Sequence, residues 1–84
     1  MKKFKIGDTV RRICEKNKTD LGEVVEIGDI GTVLADSYLY YGEMFCYVKF
    51  EGVNGISECN CGCLELIPAE NEINISFSDI EEML

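Results

Sequence analysis

The sequence predicts a small, mainly β domain, and three observations carry that expectation. Residues 44–50 alternate strictly, with Met44, Cys46, Val48 and Phe50 on one face and Phe45, Tyr47 and Lys49 on the other. This is the two-residue period of a half-buried strand. Glycine-bearing turns at Gly7-Asp8, Gly28-Asp29, Tyr41-Gly42-Glu43 and Asn54-Gly55 separate short β-prone runs, as they do in proteins built from hairpins. No 3.6-residue apolar period is evident before residue 78, so a helix there would have no face to bury. A chain of 84 residues with 46% apolar and 29% charged side chains has material for one core and not for two. So few strands cannot cover two sheets, and a small barrel is favoured over a sandwich.

Taken in order, Phe4 to Cys14 reads as a strand entered through the turn residues Gly7 and Asp8, with Val10 and Ile13 available for the core. Glu15 to Gly28 is polar apart from a β-prone patch at Val24, Val25 and Ile27, which predicts a long excursion loop. A strand begins near Ile30, and Tyr41-Gly42-Glu43 turns it into the alternating strand from Met44 to Phe50. After Gly52, Asn54 and Gly55, a short strand over residues 56–59 leads through Cys61-Gly62-Cys63 into Leu64-Glu65-Leu66-Ile67. Pro68 ends the regular part because it lacks the backbone donor that a central strand needs. Beyond it, Ile73, Ile75 and Phe77 alternate like one more strand, and Ser78-Asp79-Ile80-Glu81 has the form of a capping box opening a short helix. Neither piece is long enough to stand alone, so the expected organisation is a barrel over 1–68 and an extension over 69–84 that docks on the barrel, on a twin subunit or on a partner.

The run Phe4-Lys5-Ile6-Gly7-Asp8-Thr9-Val10-Arg11, then Gly28-Asp29-Ile30-Gly31-Thr32-Val33, then Tyr47-Val48-Lys49-Phe50-Glu51, then Leu64-Glu65-Leu66-Ile67 resembles the strand order of small bacterial and phage SH3-like barrels, including the KOW-like group. The resemblance covers residues 4–67 and implies five short strands with a long first loop, which is where Glu15 to Gly28 falls. It specifies fold more than function. The chain departs from the peptide-binding SH3 domains of signalling proteins in having no Trp and no Ala-Leu-Tyr-Asp-Tyr-like segment.

Charge is distributed unevenly. Residues 1–18 hold seven of the eight bases against Asp8 and Glu15, a local charge of +5, whereas the rest sets Lys49 against fourteen acids, −13, for −8 in all. A field of this sign repels phosphate backbones and attracts basic surfaces, so the expected partner is a protein with a basic surface and not a nucleic acid. The longest apolar run, Met44 to Val48, falls far short of the roughly 20 residues of a spanning helix, so no membrane association is expected. Lys5, Gly7 and Asp8 stand where a secretory signal would need its apolar stretch, and a cytoplasmic location is expected.

Among residues that could carry chemistry, Cys59, Cys61 and Cys63 alternate with Asn60 and Gly62, so an extended segment would point all three thiols to one side. They are weak candidates for zinc, because structural sites favour C-x(2–4)-C spacing and the chain has no histidine, leaving Cys14 or Cys46 as a fourth ligand. The alternatives are a redox role or small, partly buried thiols. Five cysteines, an odd number, make reduced thiols the default, and no cofactor is expected. Glu58 and Glu65 flank the cluster without a nearby base or cation to generate a thiolate, which argues against a nucleophile. No glycine-rich phosphate loop is present, and the chain is not expected to be an enzyme.

The aromatic residues are more informative. Tyr38, Tyr40, Tyr41, Phe45 and Tyr47 gather in one hairpin with Glu43, and Phe45 and Tyr47 lie opposite the core face. They form either an exposed binding surface, to which tyrosine suits well, or the lid of a second small core under Ile73 to Phe77. The leading expectation is a non-catalytic protein-binding module or inhibitor that presents this hairpin, ringed by Asp36, Glu43 and Glu51, to a basic partner. In a narrower form it is a phage-encoded mimic of a polyanion that antagonises a nucleic-acid enzyme. The alternatives are a KOW-like RNA- or ribosome-associated module using Lys2, Lys3, Lys5, Arg11 and Arg12, and a homo-oligomer assembled through residues 69–84.

Overall fold

The structure is a computed structural model, and it describes residues 2–68. It contains eight strands and one 3-10 turn: β1 Thr9–Arg12, β2 Asn17–Lys18, β3 Val24–Val25, β4 Ile30–Val33, β5 Tyr38–Tyr40, β6 Glu43–Phe50, β7 Ser57–Asn60, the turn Cys61–Cys63, and β8 Leu64–Ile67. The protein is therefore mainly β, as its alternation and turn chemistry predict. The strand and helix expected at 69–84, and any oligomer contact through them, lie outside the described residues. Among the described residues no helix is long and apolar enough to cross a membrane.

All pairings are antiparallel, and the main sheet runs β5-β6-β4-β1-β8 with β7 on the other edge of β6. The organising element is β6, long enough to hold three neighbours at once. Its first residues pair with β5, its last with β4, and its middle with β7 through Cys46↔Cys59 and Tyr47↔Glu58. Such overlapping pairing curls the sheet into a half-barrel. β4 and β6 approach closely where Gly31 faces Phe50, since a Cβ at Gly31 would sit 2.6 Å from Val48 Cγ1 and 2.7 Å from the Lys49 carbonyl oxygen. Only glycine lets the two backbones approach so closely.

Inside the curl lie Phe4, Val10, Val25, Val33, Met44, Cys46, Val48, Phe50, Cys59, Cys61 and Leu64. The four inward positions predicted for residues 44–50 are all buried. Phe50, fully enclosed, contributes roughly 2–3 kcal/mol of transfer free energy. The open side is closed by the N-terminal arm: Phe4 N–H donates to Ser37 Oγ (2.8 Å), Ile6 N–H to Asp36 Oδ1 (2.9 Å), and Lys2 Nζ to the Leu64 carbonyl (2.9 Å). Phe4 to Ile6 is thus an arm and not the start of the β1 ladder.

One core expectation fails at β1. Ile13 is 40% exposed, whereas Arg12 is buried. The reason is the period of two: with Val10 inward, residue 12 must also point inward and residue 13 outward. Arg12 tolerates the position because its Nε and Nη2 both donate to the Glu15 carbonyl (3.1 and 2.9 Å), which ties down the start of the excursion loop. Within that loop β2 and β3 form a small hairpin. Further bonds hold it to the β6–β7 end of the sheet: Asn17 Nδ2 to Ser57 Oγ (2.8 Å), Thr19 Oγ1 to the Asn54 carbonyl (2.8 Å), and Ile56 N–H to Asp20 Oδ1 (2.7 Å).

The cysteines differ most from expectation. Cys14 and Cys63 form a disulfide, their Cα atoms 4.9 Å apart, so the default of five reduced thiols is corrected. The β1–β8 register, ending at Arg12↔Leu64, brings the segments that hold Cys14 and Cys63 side by side, and Ile13 N–H donates to the Cys63 carbonyl at 2.9 Å.

Candidate interaction surface

The β5–β6 hairpin builds the outer face. Its turn, Tyr41-Gly42, has both residues at positive φ, 48° and 78°, the geometry of a type I′ turn whose twist suits a two-residue hairpin. Pairing then sets Tyr38 opposite Phe45 and Tyr40 opposite Glu43, so the side chains on the outer face follow one another across the two strands. The rings form a continuous ladder. Tyr41 meets Tyr40 edge-on with centroids 4.5 Å apart, Tyr40 meets Phe45 at 6.2 Å, Phe45 stacks on Tyr38 at 6.2 Å, and Tyr38 stacks on Tyr47 at 5.5 Å. These separations fall in the range of favourable aromatic pairs. Tyr41 is 89% exposed, Tyr40 56% and Tyr47 42%, while Tyr38 and Phe45 are half-buried by their neighbours.

All six residues that the sequence nominates, Tyr38, Tyr40, Tyr41, Glu43, Phe45 and Tyr47, are therefore brought together. The carboxylates around them agree only in part with expectation: Glu43 stands opposite Tyr40, Asp36 Oδ1 accepts from the Ile6 N–H of the N-terminal arm, and Glu51 lies in the turn beyond the far end of β6 from Glu43. Glu58 joins Glu43: β7 pairs it with Tyr47, and its Oε2 accepts a hydrogen bond from the Tyr38 hydroxyl. The sequence held one signal for Glu58, since an inward Cys59 requires an outward residue 58, but its pairing with Tyr47 depends on the β6–β7 register. Among the described residues the ion pairs are Arg11–Glu65 and Lys16–Glu26, so neither Glu43 nor Glu58 is neutralised by one.

Where the ladder ends at Tyr47, a groove of about 660 Å³ begins, lined by Asn17 to Asp20 of the excursion loop, Leu34 and Ala35 after β4, Tyr47, Ile56 and Glu58. Its volume is in the range of ligand-binding clefts. Apart from Tyr47, none of these residues belongs to the set nominated from the sequence, because they come from three separated stretches of chain.

The cysteine constellation is dissolved by the fold. Extension stops at Asn60, whose side chain accepts from Gly62 N–H at 2.8 Å and starts the 3-10 turn. Cys59 and Cys61 are buried, whereas Cys63 turns to Cys14. Cys46 lies opposite Cys59, and burial first, then the neighbouring Cys61 and Cys59, pushes its pKa well above the ordinary thiol value. It is a neutral core side chain. Cys61 Sγ lies 3.3 Å from Ser37 Oγ, and Cys59 Sγ lies 3.4 Å from Ser57 Oγ. Among the described residues no group of three or more Cys, Asp or Glu side chains is arranged to hold a metal ion.

No protein-family model, curated protein or solved structure matches the chain.

Proposed function

We propose that this chain is a non-catalytic binding module of SH3-like build that takes a basic segment of another protein on the aromatic face of its β5–β6 hairpin. The observation that carries the reading is the solvent-facing ladder of five rings beside two carboxylates, Glu43 and Glu58, without ion-pair partners among the described residues. Rigid rings supply contact area at low entropic cost and attract cations to their faces, and the carboxylates add charge complementarity. The long excursion between β1 and β4 and the curled sheet support the SH3-like reading. The buried, neutral Cys46 supports a structural thiol in place of a nucleophile.

Phosphate recognition has weaker support. Arg12 is buried on the Glu15 carbonyl, Arg11 pairs with Glu65 at 3.2 Å, and Lys2 holds the Leu64 carbonyl, so three of the five cations that would serve an RNA-binding edge are engaged within the fold.

The test is capture of a basic partner by the wild-type chain, by Tyr40→Ala/Tyr41→Ala and by Glu43→Gln, each at low and high salt. Retention that weakens in both variants and falls with salt is expected. Retention indifferent to both variants, or RNA binding that survives them, would overturn the reading. In the narrower form, where the partner is a nucleic-acid enzyme, DNA should compete with the chain for it.

A further inference from the structure

We infer that the groove beyond Tyr47 is a subsite for an arginine side chain of an extended partner segment, the remainder of which crosses the aromatic ladder. This rests on the protein-binding reading above and adds to it the residue type recognised and the place where it sits.

The argument starts from what lines the groove. Leu34, Ala35 and Ile56 offer apolar wall, Tyr47 offers a ring, and the ionisable groups are Lys18, Asp20, Glu58 and the Tyr47 hydroxyl. One oxygen of each carboxylate is already used: Asp20 Oδ1 accepts from Ile56 N–H at 2.7 Å, and Glu58 Oε2 accepts from the Tyr38 hydroxyl. Both carboxylates are thus held in place with a second oxygen to spare. An apolar occupant would strip water from them without compensation. An anion would meet two carboxylates against one ammonium. A cation answers the imbalance, and its carbon stem can lie along Leu34 and Ile56. Arginine fits better than lysine because a planar guanidinium stacks on a tyrosine ring while its edge donates to a carboxylate. The groove is also continuous with the ladder, since Tyr47 belongs to both and the Tyr38–Glu58 bond joins them. An extended chain can therefore occupy the two together.

The experiment titrates the full chain into labelled, unstructured peptides that alternate Arg, Lys or Glu with small apolar residues, and into a labelled RNA oligonucleotide, followed by fluorescence anisotropy. The Arg peptide is expected to bind several-fold more tightly than the Lys peptide, with no binding of the Glu peptide. Glu58→Gln, which keeps an acceptor for Tyr38, and Tyr47→Ala should each weaken Arg-peptide binding about tenfold, whereas Tyr47→Phe should stay within about twofold. Lys18→Gln should tighten binding roughly threefold. Circular dichroism of each variant checks that the sheet is intact. If Tyr40→Ala/Tyr41→Ala weakens the Arg peptide but Glu58→Gln and Tyr47→Ala do not, the subsite is refuted and the binding face stands. If no basic peptide binds at low salt, both fall. RNA binding lost in Tyr47→Ala would assign the groove to nucleic acid and overturn the inference.

Discussion

Reducing the Cys14–Cys63 bridge is the perturbation whose size can be worked most directly. The two residues are 49 apart in sequence, and in the chain-entropy account a cross-link closing a loop of that length stabilises the fold by about 4 kcal/mol. A domain of this size has a total stability of roughly 4–12 kcal/mol, so the bridge is a large share of it. With a urea dependence of about 1–2 kcal/mol per molar, reductant should lower the unfolding midpoint by roughly 2–4 M. Cys14→Ser/Cys63→Ser should reproduce that loss and make the protein indifferent to reductant. Alkylation in denaturant supplies an independent count: three adducts are expected without reductant, from Cys46, Cys59 and Cys61, and five with it. Five adducts from the unreduced chain, or a midpoint that does not move, would refute the pairing and return the thiols to the reduced state that an odd cysteine count suggests.

Three further outcomes follow from the geometry. Gly31→Ala forces a methyl group against Val48 and the Lys49 carbonyl and should cost about 3 kcal/mol in thermal or urea unfolding; a neutral result would mean that the β4–β6 approach is looser than described. Among the described residues Tyr41 is the non-glycine residue at positive φ, which costs a bulky side chain about 1 kcal/mol, and its contact with Tyr40 returns about 0.5 kcal/mol. Tyr41→Asn should therefore stabilise the fold by roughly 0.5 kcal/mol while weakening partner binding about tenfold, and a variant that both loses stability and keeps affinity would contradict the assignment of Tyr41 to binding. The Cys46 thiol is raised by burial above its ordinary pKa of 9.0, so above that pH the unfolded chain releases a proton that the folded chain retains. Stability is then intact below about pH 9 and falls by about 1.4 kcal/mol per pH unit above it. Comparison of wild type with Cys46→Ala over this range should isolate that slope, and identical profiles would remove Cys46 as its source.

Much of the β6 environment was legible in advance because a strand's alternation is a local property. Met44, Cys46, Val48 and Phe50 face inward and Phe45 and Tyr47 outward for the same reason that their hydropathy alternates, and Tyr41-Gly42 is a turn by its own chemistry. The clustering of the aromatic residues followed from hairpin closure, which needs no long-range information. Ile13 is apolar yet exposed, and Arg12 charged yet buried, because parity along the strand outweighs apolarity. Once Val10 is inward, the pleat leaves residue 12 no choice, and a nearby carbonyl satisfies its guanidinium.

Composition and spacing by themselves determined the mainly β class, the inward face of β6 and the aromatic hairpin, since each depends on residues adjacent in the chain. Tertiary structure alone decided which cysteines meet, that Glu58 and not Glu51 stands beside the rings, and that Leu34, Ile56 and the Lys18–Asp20 segment close a groove around Tyr47. Those are questions of register between strands and of where a long loop is anchored. They are settled by backbone pairing across tens of residues, which no local pattern encodes.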